Sequence, residues 1–226
     1  MAVVAPSMLG ADFGRLRELA ELVAPHSGYL HMDVMDGHFV PNLTMGPDTV
    51  AALRGVAPLD VHLMVTDPLD FVEAFADAGA DIITIHAEAN NAGAAIHAIH
   101  ARGLRAGVAI RPSTPLSALD PWLEAAELLL PMSVEPGYCG QVFDEGTYDR
   151  IRALRKAAPD ALIEVDGGAT RENANALREA VADILVSGSA IFGADDPVAA
   201  TRAIPGLDCL LYSSQCPRQL APHRSG

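Results

Sequence analysis

Along the chain, short apolar runs alternate with stretches whose apolar positions recur at helical spacing. This patterning predicts strands at residues 3–8, 29–35, 60–65, 82–87, 105–110, 128–134, 162–166 and 184–187. The segments between them predict helices: 12–23 with Asp12 as its N-cap, a short one ending near 54 after a Gly/Pro/Asn-rich loop at 36–47, then 68–78, an Ala-rich one ending near 101, 116–119, 148–157, 171–180 and 197–204. Eight βα units without a break in composition predict an α/β chain folded as a single-domain (β/α)8 barrel, the TIM barrel. An open doubly wound sheet competes. The barrel is preferred because polar residues end strands spread over the whole chain, and a barrel brings those ends to one rim. The barrel domain is expected to span 1–205. The segment 206–226 is polar and rich in chain breakers, so it is expected to be a loosely ordered C-terminal tail, and no function is assigned to it.

Three of the apolar strands carry polar side chains where a purely structural strand would not. Successive side chains on a strand point to opposite faces. His31, Asp33 and Met35 therefore share one face, opposite Leu30, Met32 and Val34. In the run from Asp60 to Val65, His62 and Met64 share a face, opposite Val61, Leu63 and Val65. The run Ile163-Glu164-Val165-Asp166-Gly167-Gly168 ends in a second aspartate. A metal site with a built-in acid/base group needs such a face, although a lone histidine at a strand end is more often a hydrogen-bonded core residue.

Composition narrows the partners. No apolar run reaches the roughly 18 residues of a membrane span, and the start has no basic region of the kind that opens a signal peptide. Cys139, Cys209 and Cys216 are too few and wrongly spaced for a disulfide framework. A cytoplasmic address, with no membrane partner, is expected. The net charge of -14 repels a phosphate backbone and excludes nucleic acid as a partner. A small phosphorylated ligand remains possible, because backbone N–H groups can hold a phosphate without lysines. The single lysine, Lys156, lies in what looks like a solvated helix face, which excludes Schiff-base chemistry.

Six segments, in order, carry a resemblance: Ala5-Pro6-Ser7-Met8-Leu9; 31–42, HMDVMDGHFVPN; 60–65, DVHLMV; Glu135-Pro136-Gly137-Tyr138-Cys139-Gly140-Gln141; 164–168, EVDGG; and 187–192, SGSAIF. Together they resemble the ribulose-phosphate 3-epimerase family from about residue 3 to 200. There are departures. Cys139 stands where the family usually has a small residue, Arg111-Pro112 where it often has Asn-Pro, and Pro131 lies inside the sixth predicted strand.

The resemblance implies a metal-dependent enzyme interconverting D-ribulose 5-phosphate and D-xylulose 5-phosphate. His31, Asp33, His62 and Asp166 correspond to the ligands of one divalent ion, for which Zn2+, Fe2+, Mn2+ and Co2+ are all suitable. Asp33 and Asp166 double as the acid/base pair that removes and returns the C3 proton through an enediolate. Met35, Met64 and Met132 form an apolar floor, and Ser7 and His62 meet the substrate or a carboxylate. Gly137, Gly140, Gly167, Gly168, Gly188 and Ser189 grip the phosphate. Residues 38–42 form a lid or rim, or a plain connection. His86 is placed behind the ligands. Asp36 is expected to make the turn with Gly37, and His26, His97, His100 and His223 are given no role. The family also implies a homo-oligomer. The alternatives are D-allulose 6-phosphate as substrate, or a non-catalytic phosphosugar-binding protein. A related barrel, orotidine-phosphate decarboxylase, is rejected because Met35 stands where its lysine is needed.

Overall fold

The computed structural model describes residues 2–138 and 140–204. Cys139 and the expected tail at 206–226 lie outside the described residues. Eight parallel strands run in the order β1-β8-β7-β6-β5-β4-β3-β2. They are β1 (Val3–Pro6), β2 (Leu30–Met35), β3 (Leu59–Met64), β4 (Ile82–His86), β5 (Arg105–Ile110), β6 (Leu128–Pro131), β7 (Leu162–Val165) and β8 (Ile184–Ser187). Between β1 and β2 the described residues share one isolated parallel bridge, Ser7 with His31, and the Gly28 N–H donates to the Val4 carbonyl at 2.9 Å. The barrel is therefore nearly closed, with its weakest seam there.

The outer layer holds α1 (Leu16–Val23), α2 (Pro47–Ala51), α3 (Val72–Ala78), α4 (Ala92–Ala101), α5 (Thr147–Ala157), α6 (Ala174–Glu179), α7 (Ser189–Phe192) and α8 (Pro197–Ala203). Helical spacing puts Leu16, Leu19, Ala20 and Val23 on one buried stripe of α1. Asp12 caps as expected, accepting from the Gly14 N–H at 2.9 Å, but what it opens is a 3-10 turn that leads into α1. Among the described residues, no helix is long and apolar enough to cross a membrane.

The differences from the expected boundaries have physical causes. β1 stops at Pro6, yet the apolar run continues because Met8 is fully buried in the turn that follows. β6 ends at Pro131, whose ring nitrogen has no hydrogen to extend a ladder. α6 begins at Ala174 rather than 171, because Asn173 folds the preceding turn, accepting from the Thr170 N–H at 2.8 Å and donating to the Gly168 carbonyl at 2.8 Å. The helix expected near 116–119 is a 3-10 segment, Leu116–Trp122, which contains Pro121. The four-residue α7 has no counterpart among the predicted helices.

Two cores result. Outward strand residues such as Leu30, Met32 and Val34 pack under the helices. Inside the barrel, Tyr29, Ile82, Leu128, Leu130, Ile184 and Val186 form a smaller cluster. Gly107 keeps that interior passable: a Cβ there would lie 2.2 Å from Thr84 Oγ1. Gly107→Val should therefore lower the free energy of unfolding by about 1–3 kcal/mol or more, measurable by denaturant titration. An unchanged midpoint would show that the interior has slack. The interior also holds polar side chains that are fully or almost fully buried: His31, Asp33, Asp60, His62, Thr84, His86 and Glu164.

Candidate active site

The β2–β3 ladder sets His31 beside Asp60, Asp33 beside His62 and Met35 beside Met64. Strand alternation turns all six inward. Asp166 follows β7 directly, and its carbonyl accepts from the Ser133 N–H at 3.0 Å and the Ser133 hydroxyl at 2.9 Å. The nitrogen and carboxylate atoms offered by His31, Asp33, His62 and Asp166 lie within 4.8 Å of one another. Asp33 Oδ1 is 3.3 Å from His31 Nε2 and 3.5 Å from His62 Nδ1, and Asp166 Oδ2 is 3.6 Å from His62 Nδ1. Asp33 Oδ2 accepts from the Ser7 hydroxyl at 2.5 Å.

His31 Nε2 and His62 Nδ1 are buried and make no hydrogen bond among the described residues. Two unpartnered imidazole nitrogens facing two carboxylates are a donor set that fits a divalent cation.

The electrostatics tie Asp33 to the two imidazoles. Burial opposes ionising Asp33, but the adjacent His31, with help from His62, holds it well below the ordinary carboxylate range. Burial likewise opposes charging His31, and Asp33 and Asp60 overcome it, raising it well above an ordinary histidine. His62 is pushed up to about 9, with burial again outweighed by the nearby Asp166 and Asp33 carboxylates.

Behind the cluster each imidazole has a different support. His31 Nδ1 lies 2.6 Å from Asp60 Oδ2 and 3.5 Å from Glu164 Oε1. Burial and the nearby Asp60 charge raise Glu164 to about 8, while Asp60, also opposed by burial, is held low by His31. His62 Nε2 lies 3.0 Å from His86 Nε2, and His86 Nδ1 lies 3.1 Å from Glu88 Oε2. Burial pushes His86 down to about 4. Burial opposes ionising Glu88 as well, but hydrogen bonds from His86 and Thr114 bring it to about 2.

A cleft opens above the cluster. Asp33 and Asp166 border it, as do Ser7, Met35, Met64 and Met132. His31 and His62 stand behind them with no exposed surface. The expected rim residues Gly137, Gly140, Gly167, Gly168, Gly188 and Ser189 all line the cleft, with Glu135, Tyr138 and Gln141, to which the sequence pattern assigns no role. Gly167 has to be glycine: its φ is +97°, and a Cβ would meet Val134 Cγ2 at 2.3 Å.

The segment 38–42 is a rim strapped to its neighbours. Val40 is buried against Met35 and Met64. Asn42 Nδ2 donates to the Gly137 carbonyl at 2.8 Å, and Arg111 Nη2 donates to the Phe39 carbonyl at 2.9 Å. The Arg111 guanidinium also lies over the Phe39 ring, 4.3 Å from its centre. Asp36 makes its turn as expected, accepting from the N–H groups of His38 and Phe39 at 2.8 Å, and it also accepts from Thr66 N–H at 2.8 Å. His26 and His100 pair with Arg202 and Glu127 away from the site, and Lys156 is exposed on α5. His223 lies outside the described residues.

A profile of the Ribulose-phosphate 3 epimerase family matches residues 3–192. The chain belongs to the ribulose-phosphate 3-epimerase family. The ribulose-phosphate 3-epimerase of Bacillus subtilis is 43% identical over 215 residues, covering 91% of this chain and 99% of that one. The cytoplasmic isoform from Oryza sativa is 47% identical over 204 residues, covering 87% and 90%. The chain is thus an enzyme of the epimerase class. Among solved structures, KGPDC from Streptococcus mutans superposes with a TM-score of 0.71 at 16% identity, covering 90% of this chain and 95% of that one. Orotidine 5'-monophosphate decarboxylase from Methanocaldococcus jannaschii gives a TM-score of 0.67 at 10% identity, covering 92% and 98%. Those two likenesses concern the fold alone.

Within this family member, Asp60, Glu164 and Glu88 are the buried or half-buried acids that sequence reading missed. The signal was present for two of them. Asp60 has the strand parity of His62, and Glu164 that of Asp166.

Proposed function

We propose that this chain is a metal-dependent 3-epimerase that interconverts D-ribulose 5-phosphate and D-xylulose 5-phosphate. One observation carries the reading: the two carboxylates that border the cleft, Asp33 and Asp166, belong to the same buried cluster as two unpartnered imidazole nitrogens.

His31, Asp33, His62 and Asp166 hold the ion, drawn from Zn2+, Fe2+, Mn2+ and Co2+. When bound, it supplies Lewis-acid stabilisation of the charge that develops on the substrate's carbonyl and hydroxyl oxygens, worth several kcal/mol. Removing the C3 proton gives a planar enediolate, so inversion needs an acid/base group on each face. Asp33 serves one face and Asp166 the other, and their roles exchange with the direction of reaction. Each is worth roughly 100- to 10,000-fold. Ser7 fixes the Asp33 carboxylate by its hydrogen bond. Met35, Met64 and Met132 give the intermediate an apolar floor with no competing proton. Backbone N–H groups around Gly137, Gly140, Gly167, Gly168, Gly188 and Ser189 grip the phosphate, which suits a fold that often binds phosphate after its seventh and eighth strands. Family membership supports a cytoplasmic homo-oligomer.

A coupled assay on both ketose phosphates tests the substrate. The expected result is a higher kcat/KM for D-ribulose 5-phosphate than for D-allulose 6-phosphate. The reverse order would move the assignment to the six-carbon sugar, and no turnover of either with metal present would leave a phosphosugar-binding protein.

A further inference from the structure

The proposed mechanism uses the inner nitrogens of His31 and His62. Their outer nitrogens are hydrogen-bonded, and by different means. His31 meets a carboxylate, Asp60, directly. His62 meets another imidazole, His86, and the carboxylate stands one step further out. We infer that Glu88, acting through His86, is the positioning residue that fixes His62 as an Nδ1 donor to the cation site. The inference rests on the proposed metal centre.

The direction of the chain is set from its outer end. Arg150 donates to the carbonyls of Arg111, Pro112 and Thr114 at 2.8–3.0 Å, which holds the loop after β5 in place. From that loop the Arg111 N–H donates to Glu88 Oε1 at 2.9 Å, and the Thr114 hydroxyl donates to the same oxygen. Oε2 is left for His86. An ionised carboxylate only accepts, so His86 Nδ1 must carry the proton. A neutral imidazole protonated on Nδ1 has its lone pair on Nε2. That lone pair faces His62 Nε2 at 3.0 Å. The two rings are within 18° of parallel with centroids 5.1 Å apart. That separation, with nitrogens 3.0 Å apart, describes rings meeting edge to edge through an N–H···N bond rather than face to face. His62 therefore carries its proton on Nε2 and turns Nδ1 towards Asp33 and Asp166. Phe39 packs on His86 with ring centres 4.8 Å apart, and His86 has no exposed surface.

Glu88→Gln separates this role from a merely structural one. The Arg111 N–H can be met only by the amide oxygen, so the amide NH2 faces His86 Nδ1 and makes that nitrogen an acceptor. His86 must then present Nε2–H to His62, which reverses the chain. The expected result is a Zn2+ dissociation constant raised about 10- to 100-fold, measured by competition with a chromophoric chelator. The metal-free melting temperature should stay close to that of the parent. Thr114→Val removes a loop bond to Glu88 without touching His86, and should keep the parent's affinity. Histidine 15N correlation spectra of the metal-free parent protein should show His86 protonated on Nδ1. His86 protonated on Nε2, parental affinity in Glu88→Gln, or an equal loss in Thr114→Val would each overturn the inference. A parent protein that binds no Zn2+ would refute the metal centre, and the His86 spectrum would still decide the proton's place.

Discussion

Asp166→Asn is expected to stop epimerisation while leaving the barrel folded. Asp166 is the better of the two acid/base groups to change. Asp33 is tied to Ser7, His31 and His62, so its loss disturbs several buried partners at once, whereas the Asp166 side chain meets His62 at the edge of the cleft. Asparagine is nearly isosteric and cannot shuttle a proton. The rate should fall by roughly 100- to 10,000-fold, with melting temperature and circular dichroism close to the parent's. A half-reaction should survive. Asp33 can still remove and return a proton on its own face, so one of the two epimers should exchange its C3 hydrogen with deuterated solvent without inverting. A near-parental epimerisation rate would defeat the scheme of two carboxylates, and loss of exchange in both epimers would show that Asp166 is needed for more than the second face.

Stripping the metal should have a comparable effect. Several kcal/mol of lost stabilisation corresponds to roughly a thousandfold in rate, and adding back a divalent ion should restore it. Full activity in chelated protein would remove the ion from the mechanism. The pH dependence supplies a second check. In the metal-free chain, His62 is raised from the ordinary histidine value of 6.5 to about 9, and His31 is also raised. A raised histidine contributes stability that is fully present below about pH 6.5 and is lost as pH rises through its folded value. The metal-free melting temperature should therefore fall between pH 6.5 and about 9. Binding a cation displaces those protons, so the ion should bind more tightly over the same interval. The melting temperatures of the two forms should diverge as pH rises. Parallel curves would mean that the histidines and the ion do not share a site.

The barrel and its four central side chains were legible because strand parity is a strict rule. Once His31, Asp33 and His62 are placed on strands, their facing follows, and the β2–β3 register then sets Asp33 directly beside His62. Parity also applied to Asp60 and Glu164, but an acid at the start of an apolar run, like Asp60, looks like a solvated strand end, and one inside a run as short as Leu162–Val165, like Glu164, looks like part of a half-exposed strand. Only the nearly closed barrel shows that both are completely buried. Glu88 gave no local signal. It lies beyond the end of β4, and its role depends on a distant loop that Arg150 holds in place. The expected strand ends at Met8 and Val134 lie too far along the chain for the opposite reason. Both residues are buried in turns, so hydrophobicity continues where the ladder has stopped.

The seam between the first and second strands also ties the assembly of the molecule to its chemistry. The bridge that fastens it joins Ser7 to His31, and the Ser7 hydroxyl crosses to Asp33. A copy whose first strand is still loose, or has slipped away, lacks the Ser7 hydroxyl that orients Asp33. Under the proposed mechanism, such copies are expected to turn over more slowly than those whose first strand is docked.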